Sequence, residues 1–258
     1  MTMVSEVRRV AVVEITDHGP VRVLTFDRPD KLNALDQAMS ERARDALRAA
    51  ATDDDVSVIV ITGSGRGFCA GVDIDYLEGM AAGTADTTPS VQFNEELQQA
   101  EKPIIAAVNG LAVGVGTTMC LHVDLVVAGE SARFRTPFTK IGVAPEIGSS
   151  WLLPQQLGYQ QAAWMLLSSE WVDAAQALDW GLVLEVVPDE ELVSWAIALG
   201  QTIAANNTAS IRAVKRTLRA WRQGPIDAAI EAENAEFQAL MVAPEFAPRS
   251  AEGEETDG

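Results

Sequence analysis

Apolar and polar positions alternate first with the period of strands, then with the period of helices. VRRVAVVEITDHG and PVRVLTFDRP (residues 7–29) carry β-branched residues in near alternation, split by the turn signal DHGP, which predicts a β-hairpin. From Asp36 the period lengthens: DQAMSERARDALRAAATDDD places Ala38, Met39, Ala43, Ala46 and Leu47 on one helical stripe. VSVIVITG (56–63) is apolar nearly throughout, as expected of a parallel strand covered on both faces. KPIIAAVNG (102–110) repeats that form and leads into a helical run, TTMCLHVDLV, and ARFRTP (132–137) predicts one more short strand. Beyond Pro188 the strand signals stop. DEELVSWAIALGQTIAANN, TASIRAVKRTLRAWR and PIDAAIEAENAEFQALMV read as three amphipathic helices. The pattern predicts an α/β core over residues 1–195 and a helical C-terminal region over 196–258 that ends in an acidic tail, AEGEETDG.

Composition narrows the partners. The chain of 258 residues has a formal net charge of −18, so nucleic acid and anionic membrane surfaces are repelled and neither is an expected partner. No apolar run is long enough to span a bilayer, and the two cysteines, Cys69 and Cys120, sit in apolar sequence as buried free thiols do. A cytoplasmic protein is the expectation.

Two strands end in glycine-rich turns that open helices: GRGFCAGVDIDYL (65–77) and LAVGVGTTM (111–119). Glycines let the backbone approach a ligand closely, and a strand-to-helix turn leaves unpaired N–H groups aimed at one spot, where a developing oxyanion is stabilised. The second turn lacks GxGxxG spacing and no P-loop lysine follows, so dinucleotides and nucleoside triphosphates fit poorly. Asp73 is placed to cap the helix after the first turn. In GVAPEIGSS (142–150), Glu146 is a lone carboxylate among small and apolar residues. It reads either as a cap at a helix start or as an active-site acid–base group.

DRPDKLNALD, GRGFCAGVDI, KPIIAAVNGLAVGVG and PEIGSSWLLP, in this order between about Val10 and Val242, resemble the signature blocks of the crotonase superfamily, the enoyl-CoA hydratase/isomerase family. The resemblance implies an α/β spiral of repeated ββα units, a helical C-terminal region that packs subunits into trimers or dimers of trimers, and an acyl-CoA thioester substrate. It requires no cofactor beyond the coenzyme A of that substrate and no metal. Carried onto this chain, the family's oxyanion donors are the backbone N–H groups of Val72 and Val115, flanked by Gly71 and Gly114. For coenzyme A it implies the Ala70 carbonyl against the adenine amino group, Lys31 and Leu32 along the pantetheine, and Arg66 toward a phosphate.

The departures from the family pattern carry information. Hydratases of the family hold a water between two glutamates, and here those positions are Thr118 and Phe138, neither of which can exchange that proton near neutral pH. FRTPFTKIGVAPEIGSSWLLP instead resembles the same region of Δ3,Δ2-enoyl-CoA isomerases, which implies a catalytic role for Glu146. Its apolar neighbours Ile141, Val143, Ile147 and Trp151 should raise its pKa. Asp73, Asp75 and Asp124 read as caps or structural acids, and His122 as a packed core residue. A mobile loop over Met80–Ser90 is expected to shape the acyl pocket. Three alternatives stay open: a hydratase whose acid comes from Glu95 or Glu96, a dehalogenase-like enzyme with a nucleophilic carboxylate near Glu146, and a non-catalytic crotonase-fold binding protein.

Overall fold

The computed structural model describes residues 12–241, so the start of the expected hairpin and the acidic tail lie outside the described residues. The hairpin is β1 (Val13–His18) and β2 (Val21–Phe26), antiparallel, with Gly19 at φ +63° in its turn. The helix after it, α1 (Gln37–Thr52), is capped by Asp36, whose carboxylate accepts from Met39 N–H at 2.8 Å. Its buried stripe is Met39, Ser40, Ala43, Ala46, Leu47 and Ala50; Ala38, expected on it, faces out.

From here each unit supplies two strands to two different sheets. β3 (Val58–Gly63), β5 (Ile104–Val108), β7 (Leu125–Gly129) and β10 (Glu185–Val187) extend the first sheet in the order β1-β2-β3-β5-β7-β10. β4 (Gly67–Cys69), β6 (Leu111–Val113), β8 (Arg133–Arg135) and the two-residue β9 (Val172–Asp173) form the second, in that order. All pairs from β2 to β10 in the first sheet, and β4-β6-β8 in the second, are parallel. This is the expected spiral of ββα units.

The continuous apolar runs are explained by cover on both faces. In β3, Ile59 and Ile61 enter the main core with Leu24, Phe26, Met39, Ile104 and Ala106. Val58 and Val60 point the other way, into a second core with Val21, Val23, Ile105, Ala107 and Val127. Helix α9 (Leu192–Ala204) closes that second core through Leu192 and Ala196. A Cβ on Gly200 would stand 3.0 Å from a Val21 methyl, so glycine lets α9 lie close against the sheet. The division drawn at 195/196 therefore falls inside a helix that belongs to the α/β layer.

Two further expectations change. The run TTMCLHVDLV is helical only through α4 (Val115–Thr118) and a 3-10 turn to Leu121; Leu125 onward is the strand β7, flanked by β5 and β10 and mostly buried. The last two predicted helices are one, α10 (Thr208–Met241), which runs through Pro225. Both of its halves are tied to the body: Lys215 Nζ donates to Lys102 O (2.6 Å) and Asp124 Oδ2 (2.7 Å), and Glu233 accepts from two backbone N–H groups described below. These anchors hold the helix together across a residue that ordinarily breaks it. The expected loop of Met80–Ser90 shrinks to 82–87, between α2 (Ile74–Ala81) and α3 (Thr88–Gln99), and Tyr76 Oη ties it down by donating to Asp86 O at 2.6 Å.

Candidate active site

The two glycine turns lie side by side because the strands that feed them, β4 and β6, are parallel neighbours. Contact there is backbone on backbone: a Cβ on Gly116 would stand 2.0 Å from Cys69 O, and one on Gly71 (φ +102°) 3.2 Å from Val113 O. Leu35 N–H donates to Gly71 O (2.8 Å) and Asp73 N–H to Leu35 O (2.9 Å), so Val72 itself, bridged in parallel to Leu35, turns its own N–H to the opposite side. Val115 is the first residue of α4 and has no acceptor within that helix. Among the described residues neither N–H has a hydrogen-bond partner. The expected oxyanion donors are thus both free, at the ends of adjacent strands.

The first turn is braced by side chains. Asp73 caps α2 by accepting from Asp75 N–H (3.1 Å) and pairs with Arg28 at 3.0 Å; Arg28 also reaches Asp36 at 3.1 Å. Buried Asn33 joins the loop of Lys31 and Leu32 to the turn, its Nδ2 donating to Ser64 O (2.9 Å) and Gly67 O (2.7 Å). Ala70 N–H donates to Leu32 O at 3.0 Å. Lys31 and Arg66 are exposed, and Leu32 and Ala70 half-buried.

Glu146 lies between α5 (Phe138–Ile141) and α6 (Ser149–Leu157). Its carboxylate accepts no hydrogen bond among the described residues, and the cap reading fails on the position it was meant to explain. The N-terminal N–H groups of α6 are satisfied by Glu233 of α10, whose Oε2 accepts from Gly148 (2.7 Å) and Oε1 from Ser150 (2.8 Å). Burial, then the negative charge of Glu233, pushes the Glu146 pKa up to about 7. Ile147 and Trp151 pack beside it against the core, as the apolar sequence implied, but the contribution of Glu233 was not foreseen. Glu146 also faces the first turn. Burial drives the Cys69 thiol up to about 12, and the charge of Glu146 adds to that shift three residues before Val72.

The positions of the missing glutamates are closed to solvent and carry no acid. Phe138 is buried, and the hydroxyl of Thr118 is buried with no hydrogen-bond partner in the described protein. Glu96 pairs outward with Arg48 at 2.6 Å and Glu95 is exposed, so neither α3 acid reaches this site. His122 is buried, its Nε2 2.7 Å from Ile147 O, with its pKa lowered to about 4 chiefly by burial. Asp124 is structural, accepting from Ile104 N–H (2.7 Å) and Lys215. Both cysteines are buried and free. Among the described residues, no group of His, Cys, Asp and Glu could hold a metal ion and no helix is long and apolar enough to cross a membrane.

Paired strands divided between two sheets, with adjacent glycine turns at one edge, are the build of a crotonase-type acyl-CoA enzyme. The family model described as enoyl-CoA hydratase/isomerase matches residues 16–251. The 1,2-epoxyphenylacetyl-CoA isomerase of Escherichia coli K12 is 34% identical over 226 residues, covering 85% of this chain and 86% of its own length. The 2,3-dehydroadipyl-CoA hydratase of the same strain is 38% identical over 222 residues, with coverage of 85% and 86%. A crystal structure of an enoyl-CoA hydratase/isomerase from Pseudoalteromonas atlantica superposes with a TM-score of 0.86 at 33% identity, over 93% of this chain and all of that one. The chain belongs to the enoyl-CoA hydratase/isomerase family.

Proposed function

We propose that the protein moves the double bond of a 3-enoyl-CoA to the 2-position, with Glu146 as its one proton carrier and the N–H groups of Val72 and Val115 as its oxyanion hole. The observation that carries this reading is a half-buried carboxylate with no hydrogen bond among the described residues, its pKa raised to about 7, in a site whose other two acid positions are Thr118 and Phe138. Glu146 takes a proton from C2, which the thioester carbonyl acidifies. The charge passes to the thioester oxygen, where the two N–H groups hold the dienolate. The same carboxyl returns the proton to C4, and the double bond re-forms between C2 and C3. Atoms and charge balance with no water consumed. A pKa near the working pH suits a group that must both accept and donate.

The coenzyme A moiety would lie along Lys31 and Leu32, with its adenine amino group on the Ala70 carbonyl and a phosphate toward Arg66. Gly71 and Gly114 keep the two turns free of side chains where the thioester would enter. We assign the protein to the cytoplasm and to a homotrimer or dimer of trimers, consistent with exposed Trp164 and Leu167 on α7 (Tyr159–Ser168) and Val214, Leu218 and Trp221 on α10.

Hydration is the second reading, favoured by the 38% identity to a hydratase and by a second carboxylate nearby, the buried Glu233. Both Glu233 oxygens, however, already accept backbone N–H groups. Following the 2-enoyl thioester absorbance separates the two. Trans-3-hexenoyl-CoA should gain absorbance and crotonyl-CoA should lose none; loss with crotonyl-CoA would establish hydration instead. Glu146→Gln should lower kcat by about 10³-fold or more. In the wild type, kcat/KM should rise with pH through about 7 as Glu146 loses its proton.

A further inference from the structure

Glu146 precedes a backbone that its own sequence does not favour. Ile147 sits at φ +57°, a region costly for a β-branched residue, and Gly148 follows at φ +76°. Such a conformation persists only if its surroundings impose it. The peptide unit between these residues is gripped at both ends. Its carbonyl, Ile147 O, lies 2.7 Å from His122 Nε2, and its N–H, on Gly148, donates to Glu233 Oε2 at 2.7 Å. Since a carbonyl can only accept, His122 carries a proton on Nε2, and its pKa, lowered to about 4 chiefly by burial, leaves the ring neutral near pH 7. Glu233 spans the next turn as well, through its other oxygen and Ser150 N–H at 2.8 Å. The two side chains arrive from separate places, His122 from the end of the 3-10 turn after α4 and Glu233 from the C-terminal helix 85 positions beyond Gly148.

We propose that Glu233 and His122 are positioning residues for the reaction: together they hold the Ile147–Gly148 peptide in its left-handed turn, which fixes where the Glu146 carboxylate points, and Glu233 places an anion beside that carboxylate. This rests on Glu146 being the proton carrier. Glu233 cannot itself be a catalytic residue while both oxygens are committed to backbone. Its second effect is electrostatic, because it is an anion next to an anion and it opposes ionisation of Glu146. The other titratable groups facing this pair are few. Cys69 faces Glu146 from β4, and its thiol is held protonated by burial. His122 stands behind the loop and faces Arg222 of α10, whose guanidinium donates to Leu121 O at 2.6 Å. None of these carries an anionic charge to replace that of Glu233.

The test is the pH profile of 3-enoyl-CoA isomerisation in Glu233→Gln and Glu233→Asp, with circular dichroism and thermal midpoints recorded alongside. Glu233→Gln removes the charge and leaves one acceptor for two N–H groups. Its acid limb should move below that of the wild type, and kcat should fall by about tenfold to a hundredfold with KM little changed. Glu233→Asp keeps the charge on a shorter arm, so kcat should fall while the limb stays in place. A limb that does not move in Glu233→Gln, or an equal loss at every pH that tracks the thermal midpoint, overturns the proposal and leaves Glu233 a purely structural cap. If the Glu233 variants fail to fold, His122 decides: His122→Leu removes the donor to Ile147 O and should lower kcat, and His122→Gln, which can still donate, should restore part of it. Equal kcat in these two overturns the clamp. Failure of the underlying reading looks different, because Glu146→Gln would then remain active.

Discussion

Glu146 and His122 lie on either side of one peptide and are both displaced from their ordinary pKa values, in ways that oppose each other in stability. Glu146 has a folded pKa of about 7 against 4.5, so the stability linked to it is full below pH 4.5 and is lost as pH rises to about 7. His122 has a folded pKa of about 4 against 6.5, so its contribution is full above pH 6.5 and is lost as pH falls to about 4. Removing the first should expose the second. Glu146→Gln is therefore expected to be more stable than the wild type at pH 8, by up to about 3 kcal/mol, and to match it below pH 4.5. Urea unfolding of the two proteins at a series of pH values measures this directly. A variant less stable than the wild type at pH 8 would mean that the Glu146 charge is not held at a cost to the fold. Glu146 was legible in the sequence because an acid between a proline and a glycine turn stands out locally. The clamp was not, because His122 and Glu233 each look like an ordinary member of an amphipathic run.

At the scale of elements, the informative unit is α10. The sequence splits it at Pro225, since local propensity alone stops a helix there. The structure keeps it whole because Lys215, Arg219 and Arg222 before the proline donate to carbonyls of the α/β body, and Glu233 after it accepts from α6. Lys215 is the most committed of these cations. It is buried against Asp124 and the Lys102 carbonyl, with burial as the main influence lowering its pKa. Lys215→Met should cost about 3 kcal/mol in urea denaturation, because Asp124 is left without its cation, and adding Asp124→Asn should recover part of that loss. Strictly additive losses would show that the pair is not coupled. The strands tell the converse story. β3 and β5 were readable as buried parallel strands from apolar runs, whereas β7 was absorbed into a helical run, because LVVAG is too short for periodicity to arbitrate.

For the whole molecule, about half of the large apolar side chains left exposed lie on α7 and α10, among them Trp221, 81% exposed, and Leu167, 73% exposed. Apolar surface of that kind on a highly charged chain fits subunit contact. Light scattering after size exclusion should give three or six times the 27.6 kDa chain mass, and Trp221→Glu combined with Leu218→Glu should lower it. A monomeric wild type would reject the assembly. On the proposed reading, the net charge of −18 would leave acyl-CoA binding to backbone groups and to a few cations such as Lys31 and Arg66, since the surface as a whole repels the ligand's phosphates.

The sequence by itself determined the alternation of strands and helices, the cover on both faces of β3 and β5, the two glycine turns, the loss of both hydratase glutamates, and the isolation of one carboxylate. The missing glutamates are legible only through the family resemblance; the rest follows from residue type and short-range period. Tertiary structure decided the rest. Parallel pairing of β4 with β6 set the two turns side by side, and α10 delivered Glu233 to α6. Partial burial and the nearby charge of Glu233 raised the Glu146 pKa to about 7. Each of these joins groups tens of residues apart, and their energies depend on burial and distance, which exist only once the chain has closed on itself.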